Sequence, residues 1–193
     1  MGIIGKHGVT ANTPSNVLLG AGTYHKNLKF EGSKWTGDLI GATSGGGKIS
    51  ITGEFVDLEV DGALVRFKGQ TVKQGGTATM EVNFVELSTE VMKMATLFKE
   101  GDSDAEGFTM LEDKAHIEDG DYIENFGFVG YTADGKKQII VIFGLALCTS
   151  GLDLEPKNKE QSTVKLTLQA VAANEGDLDT LPVKIYYPDV PVV

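Results

Sequence analysis

Between residues 41 and 87 the chain repeats one pattern, and that pattern limits the folds open to it. Apolar side chains recur at alternate positions through Ile49, Ile51, Val56, Leu58 and Val60, again through Val65 and Phe67, and again through Ala78, Met80, Val82 and Phe84. A period of two places one side of an extended strand on a core and leaves the other side to water or a partner. Asp61-Gly62 separates the first two runs and Gln74-Gly75-Gly76 the next two. Asp-Gly between alternating runs is a strong hairpin signal, because tight hairpins need positive backbone angles. The expectation is a three-strand antiparallel meander entered from a glycine-rich loop, Gly41, Ala42, Thr43, Ser44, Gly45, Gly46, Gly47 and Lys48.

The rest of the chain supports a strand-rich reading. There are 25 glycines in 193 residues but only 5 prolines, about twice the usual glycine share, which suits tight turns and backbone bends. A chain this long is expected to form one domain with a real core. We divide it into an N-terminal arm, 1–16, and a single domain, 17–193. The arm either frays or orders on a neighbouring subunit. A first strand is expected at 17–24. Residues 25–40 hold the only tryptophan, Trp35, and read as a long exposed loop in which it serves as a local lid or an interface anchor.

After the meander the period changes. Ser88 can cap a helix over about 88–100, with Val91, Met94, Ala95 and Phe98 on one face and Gly101 as its stop. An irregular acidic loop, about 102–125, follows. Strands return at 126–131 and at 138–148, around a turn at Ala133-Asp134-Gly135. The second of these is apolar on both faces, as in a strand covered on both sides. Val164, Leu166 and Leu168 should point inward from the next strand, and 183–187 forms the last. The fold class is mainly β: a β-sandwich or barrel with one flanking α-helix.

Chemistry finds little foothold in this sequence. A phosphate loop ending at Lys48 would need glycine where Ala42 stands, a hydroxyl residue where Ile49 stands, and a helix after it. Asp102, Asp104, Glu106, Gly107 and Asp113 approach a calcium-loop spacing, yet Thr109 replaces an apolar residue and no second helix follows. His7, His25 and His116 share no metal-ligand spacing, and Cys148 sits within an apolar strand. No catalytic, metal-binding or cofactor-binding residue is expected, and the chain is not read as an enzyme. The formal net charge of −10 opposes binding of nucleic acid through a basic patch. One cysteine excludes an internal disulfide. The N-terminal residues lack the apolar run of a signal peptide, and no run approaches membrane-spanning length, so a soluble product on the cytoplasmic side is expected.

Several short segments, in order along most of the chain, resemble the major tail (tail tube) proteins of tailed bacteriophages, of the siphophage type found in Gram-positive phages and prophages. They are Leu18-Leu19-Gly20-Ala21-Gly22, Gly41-Ala42-Thr43-x-Gly45-Gly46, Glu59-Val60-Asp61-Gly62-Ala63, Glu86-Leu87-Ser88-Thr89, Gly151-Leu152-Asp153-Leu154 and Pro182-Val183-Lys184-Ile185-Tyr186. Ser44 departs from the basic residue common at its place. The resemblance implies a tail tube fold whose subunits form homo-hexameric rings, stacked into a hollow conduit for genome DNA. It implies a tape measure protein, a tail terminator and tail tip proteins as partners. It also implies residence in the virion, with assembly in the host cytoplasm. DNA would pass without specific binding, and no membrane is involved.

On that reading Gly41, Ala42, Thr43, Gly45, Gly46 and Gly47, with Trp35, are the candidate ring and tube assembly residues, and Asp61 and Gly62 make the hairpin turn. Alternation nominates Glu54, Asp57, Glu59 and Glu81 as lumen-facing carboxylates, moderated by Arg66 and Lys68; an acidic wall repels DNA, whereas a basic one would hold it. The competing reading is that these acids solvate an outer surface. Two alternatives for the whole chain stay open: a tube subunit of a contractile injection system or tailocin, and a monomeric β-sandwich binding module.

Overall fold

A computed structural model describes residues 8–156 and 158–188. The order of elements is α1 (Thr13–Asn16), β1 (Leu18–Glu31), β2 (Lys34–Leu39), β3 (Thr43–Asp57), β4 (Thr71–Phe84), α2 (Thr89–Thr96), β5 (Lys99–Gly101), β6 (Met110–Glu112), β7 (Ile123–Thr132), β8 (Gln138–Cys148), β9 (Val164–Ala170) and β10 (Val183–Tyr186). The strands pair antiparallel in the order β2-β1-β7-β8-β9-β4-β3, with β10 also on β8 and β5-β6 forming a separate ribbon. The chain is mainly β and of sandwich type with one principal helix, as its alternation implied.

β8 is the fold's hinge line. Ile140–Phe143 pair with β10, whereas Ala146–Cys148 pair with β9. Between them the Gly144 N–H donates to the Pro182 carbonyl at 2.7 Å. One edge of a single strand therefore feeds two layers, which explains why its central residues are buried on both faces. The layers close over the main core. Tyr24 of β1 packs its ring against Phe84, Phe126 and Phe128, with centroids 6.5, 6.1 and 5.4 Å away. Met80, Val82, Phe84, Val164, Leu166 and Leu168 are wholly buried, each side chain of this size contributing about 1.5–3 kcal/mol. The inward placement of Val164, Leu166 and Leu168 follows the expected period, and Cys148 is a buried core residue.

Helix α2 plugs one end of that core with Val91 and Ala95. Ser88 caps it as expected, its Oγ accepting from the Val91 N–H at 3.2 Å. It ends earlier than expected, at Thr96. Leu97 takes the left-handed conformation (φ 57°) and donates its N–H to the Lys93 carbonyl, while its side chain packs back on the core. Core contact outweighs the conformational cost of a non-glycine residue there. Gly101, read as the stop, instead ends β5.

Four further expectations need correction. The meander has two strands, not three: β3 pairs with β4 from Thr43↔Phe84 to Asp57↔Thr71, and residues 58–70 form its tip. Gly75 and Gly76, read as a turn, lie inside β4 beside a bulge that leaves Gln74 without a register partner. Glycine in a strand often marks such a bulge or a close approach; a Cβ on Gly76 would stand 2.8 Å from the Thr52 carbonyl oxygen. The loop expected at 25–40 is a hairpin, β1 to β2, turned by Gly32 and Ser33 at φ 56° and 69°, the positive pair a tight two-residue turn needs. The glycine-rich segment expected as a loop is in strand from Thr43 onward. Gly45 and Gly46, at φ 77° and 75°, form a bulge there.

The acidic loop is also less irregular than expected. It holds β5-β6, a 3-10 turn at Asp119–Asp121, and Lys114 bonded to Asp121 at 2.7 Å and Glu118 at 3.2 Å. β6 occupies the end of the calcium-like spacing, immediately before Asp113. Of the proposed arm, residues 1–7, including His7, lie outside the described residues. Residues 14–17 are tied to the β7-β8 turn: Ser15 Oγ donates to Asp134 at 2.9 Å and the Ala133 N–H to the Val17 carbonyl at 2.7 Å. Among the described residues no helix is long and apolar enough to cross a membrane.

Candidate functional site

The β3-β4 hairpin carries most of the nominated residues and changes character along its length. At its base Ile49↔Met80 and Ile51↔Ala78 face the core, where Ala78 to Phe84 are sealed by β9, β1 and α2. Farther out, apolar residues stand exposed on both faces. Ile51 is already 44% exposed and Phe55, on the same face, 65%; Val56 and Val72, paired on the side of Glu54, are 40% and 41% exposed, and at the tip Leu64 is 98% exposed and Phe67 45%. β3 ends the strand order, so no strand among the described residues pairs with its outer edge. An open edge beside uncovered apolar side chains is a template for another chain.

The face of β3, β4 and β9 opposite Ile49 and Met80 is polar by register as far as Glu54. Lys48↔Glu81, Ser50↔Thr79 and Thr52↔Thr77 are paired across β3 and β4, with Thr167 beside Glu81 and Gln169 beside Thr79 on β9. Glu81 stands between two cations, Lys165 at 2.6 Å and Lys48 at 3.8 Å. The hydrogen bond from Lys165 holds its carboxyl below the usual range, with Lys48 adding to the effect.

The four nominated carboxylates thus separate. Glu81 and Glu54 share the polar face, at its centre and far end. Asp57 is engaged at the neck of the tip, where it accepts from the Thr71 hydroxyl at 2.5 Å and pairs with Arg66. Glu59 is exposed in the tip itself. Asp61-Gly62 is a real turn, with Gly62 at φ 84° and the Ala63 N–H on the Val60 carbonyl, but it lies within the tip and does not join two strands.

The glycine segment is preorganised. The Ala42 N–H donates to Glu86 Oε2 at 3.0 Å, the Val85 N–H to the Ala42 carbonyl at 3.0 Å, and Asn83 Nδ2 to the Gly46 carbonyl at 3.2 Å. Thr43 pairs with Phe84, and Gly41 lies against Glu86. Gly47 is required by contact: a Cβ there would fall 2.0 Å from the Tyr24 hydroxyl oxygen. Trp35 is on β2 and engaged within its own chain, 5.2 Å from Phe30 and 4.7 Å from Tyr186 by ring centroid. That aromatic cluster escaped sequence reasoning, since Trp35 and Tyr186 are far apart in the chain and no period connects them. The Lys48-Glu81-Lys165 group had a usable signal: each residue occupies a polar position of an alternating run.

Among the described residues no group of three or more His, Cys, Asp or Glu could hold a metal ion. The chain matches no family profile and no curated protein. Among solved structures it is similar to a chain of the virion of native gene transfer agent (GTA) particle: 14% identical, over 79% of this chain and 92% of that one, with a TM-score of 0.39. A likeness that slight carries no weight for fold or function.

Proposed function

We propose that this protein is a structural subunit of a phage tail tube, closing with copies of itself into six-membered rings that stack into a hollow conduit for genome DNA. The observation that carries this reading is the outer half of the β3-β4 hairpin: an open strand edge with apolar residues that its own fold leaves bare. Ring closure covers both at once, because each hairpin lies beside the next subunit's and no edge remains. The polar face of β3, β4 and β9 then lines the bore. Its carboxylates Glu54 and Glu81 are matched by Lys48 and Lys165, with hydroxyls between, so the wall offers DNA no excess of cations whose binding would release counterions and stall it.

The subunit works without breaking bonds and without a cofactor. The glycine segment, clamped by Glu86 and Asn83, makes the contact between rings, and the N-terminal arm reaches the neighbouring ring. A tape measure protein sets the tube's length, terminator and tip proteins close its ends, and the product resides in the virion after assembly in the host cytoplasm. Negative-stain electron microscopy of the purified protein, concentrated stepwise, tests the reading. Six-membered rings or tubes support it. A small solitary particle at every concentration rejects it.

A further inference from the structure

The hairpin tip, residues 58–70, is exposed yet firmly held. The Leu58 N–H donates to the Gln70 carbonyl at 2.9 Å and Gln70 Nε2 to the Leu58 carbonyl at 3.0 Å, while the Phe67 N–H reaches Gln70 Oε1 at 3.3 Å. Asp57 closes the neck through Thr71 and Arg66. This clamp presents Leu64 and Val65, 98% and 80% exposed, together with Phe67. An element ordered in advance loses less freedom when it docks. The other large apolar feature is concave. On the face of the β2-β1-β7-β8-β10 layer away from the main core, Leu28, Val129, Ile140 and Ile142 form a second small core with Trp35. Beside it runs an open groove of about 550 Å³ lined by Phe30, Trp35, Ile140 and Tyr186 among others, with Phe30 58% and Tyr186 42% exposed.

We propose that the tip of one copy docks in this groove of a second copy, with Leu64 and Phe67 against the row of rings. The proposal rests on the reading that copies of this chain join one another, and it names the socket. Three observations select this occupant. Ile49, Ala78 and Met80 of the tip's own hairpin belong to the main core, on the other side of the layer from the groove, so a chain's tip and groove lie on opposite faces and the groove must be filled from another molecule. A knob and a socket on different surfaces make a heterologous contact, the kind that propagates into rings. Charge is complementary. Lys184 lies opposite Ile142 and two positions before Tyr186, on the groove's face of β10, and has no acidic partner among the described residues. In the tip Arg66 is neutralised by Asp57, which leaves Glu59 and Asp61 against Lys68 alone. Tryptophan and tyrosine are also the residues that most often anchor such contacts, and Trp35 stands between Phe30 and Tyr186 at 5.2 and 4.7 Å by ring centroid.

Trp35 is the single tryptophan, so its fluorescence reads the groove alone. Raising the concentration of the full chain should move its emission to shorter wavelength and reduce quenching by acrylamide. Leu64→Asp, at an exposed position, should keep the melting temperature and hold the emission at its dilute value at every concentration. Adding a Trp35→Phe chain, which keeps the tip and carries no tryptophan, to the Leu64→Asp chain should restore the shift. Lys184→Glu should weaken the contact more at low salt than at high salt. Rings that assemble with Trp35 emission unchanged, or a Leu64→Asp chain that shifts like wild type, overturn the proposal and leave the tube reading standing. A shift that follows concentration and needs Leu64, but yields no closed rings, upholds the docking and rejects the tube. Protection of Trp35 that is equal at every concentration also overturns the proposal, because the cover then lies within one molecule.

Discussion

The two halves of the β3-β4 hairpin share their strands, their alternation and their glycine bulges, yet differ in what covers them. Near Met80 and Phe84 the apolar face is sealed under Tyr24, β9 and α2. Past Ile51 the apolar residues stand in solvent on both faces, Phe55 on the core side and the pair Val56↔Val72 on the other. Alternation therefore states that a strand has a buried face without stating which molecule buries it. The base is a folding device; the outer half is a surface awaiting a partner, and in the proposed tube that partner is another copy.

Substitutions should separate the halves. Phe84→Ala, in the sealed half, should destabilise the monomer by about 3–5 kcal/mol, read by denaturant unfolding. Next in size, Gly47→Ala drives a methyl into the Tyr24 hydroxyl and the Glu81 carbonyl and should cost about 1–3 kcal/mol; a neutral result would show that β1 and β3 can separate without loss. Ser88→Ala removes the cap of the helix that seals the base, an expected loss of about 1 kcal/mol, with the rings still forming.

A smaller effect comes from acid at the opposite end of the molecule. The Thr132 hydroxyl, the Lys136 N–H and Ser15 hold the Asp134 carboxyl at about 2, against an ordinary 3.8. Because the folded value is the lower one, this stabilisation is complete above the unfolded value and fades as pH falls from 3.8 toward about 2. Asp134→Asn should flatten the stability profile in that window; a profile as steep as wild type would show that the turn does not hold residues 14–17. The smallest change belongs to the outer half. Phe55→Ser should alter monomer stability by no more than about 0.5 kcal/mol while abolishing rings.

How much of the fold and of the candidate site was legible in the sequence depends on whether the physics was local. The cap at Ser88, the inward set Val164, Leu166 and Leu168, and the doubly buried β8 follow from period and residue type, and all stand. Gly75-Gly76 and the 25–40 segment misled because glycine and polar residues signal a turn, a bulge or a close approach equally well, and only the partner strand decides. The polar face could be read from alternation, and a period of two already sets Asp57 on the face opposite Glu54; Glu59 could not be excluded from it until the tip at 58–70 was placed. Trp35 meeting Tyr186 depends on both packing beside the Leu28, Val129, Ile140 and Ile142 cluster, with Leu28 set against Gly127, which no pattern within β1 announces.

Hydroxyl-radical footprinting of the protein before and after assembly tests the central claim most directly. Phe84 and Met80 should resist oxidation in both states, whereas Phe55 and Phe67 should be oxidised in the monomer and protected in the assembled particle. If Phe55 and Phe67 stay as reactive in the particle as in the monomer, or no particle forms at any concentration, the outer hairpin is not the contact between copies and the tube reading is contradicted.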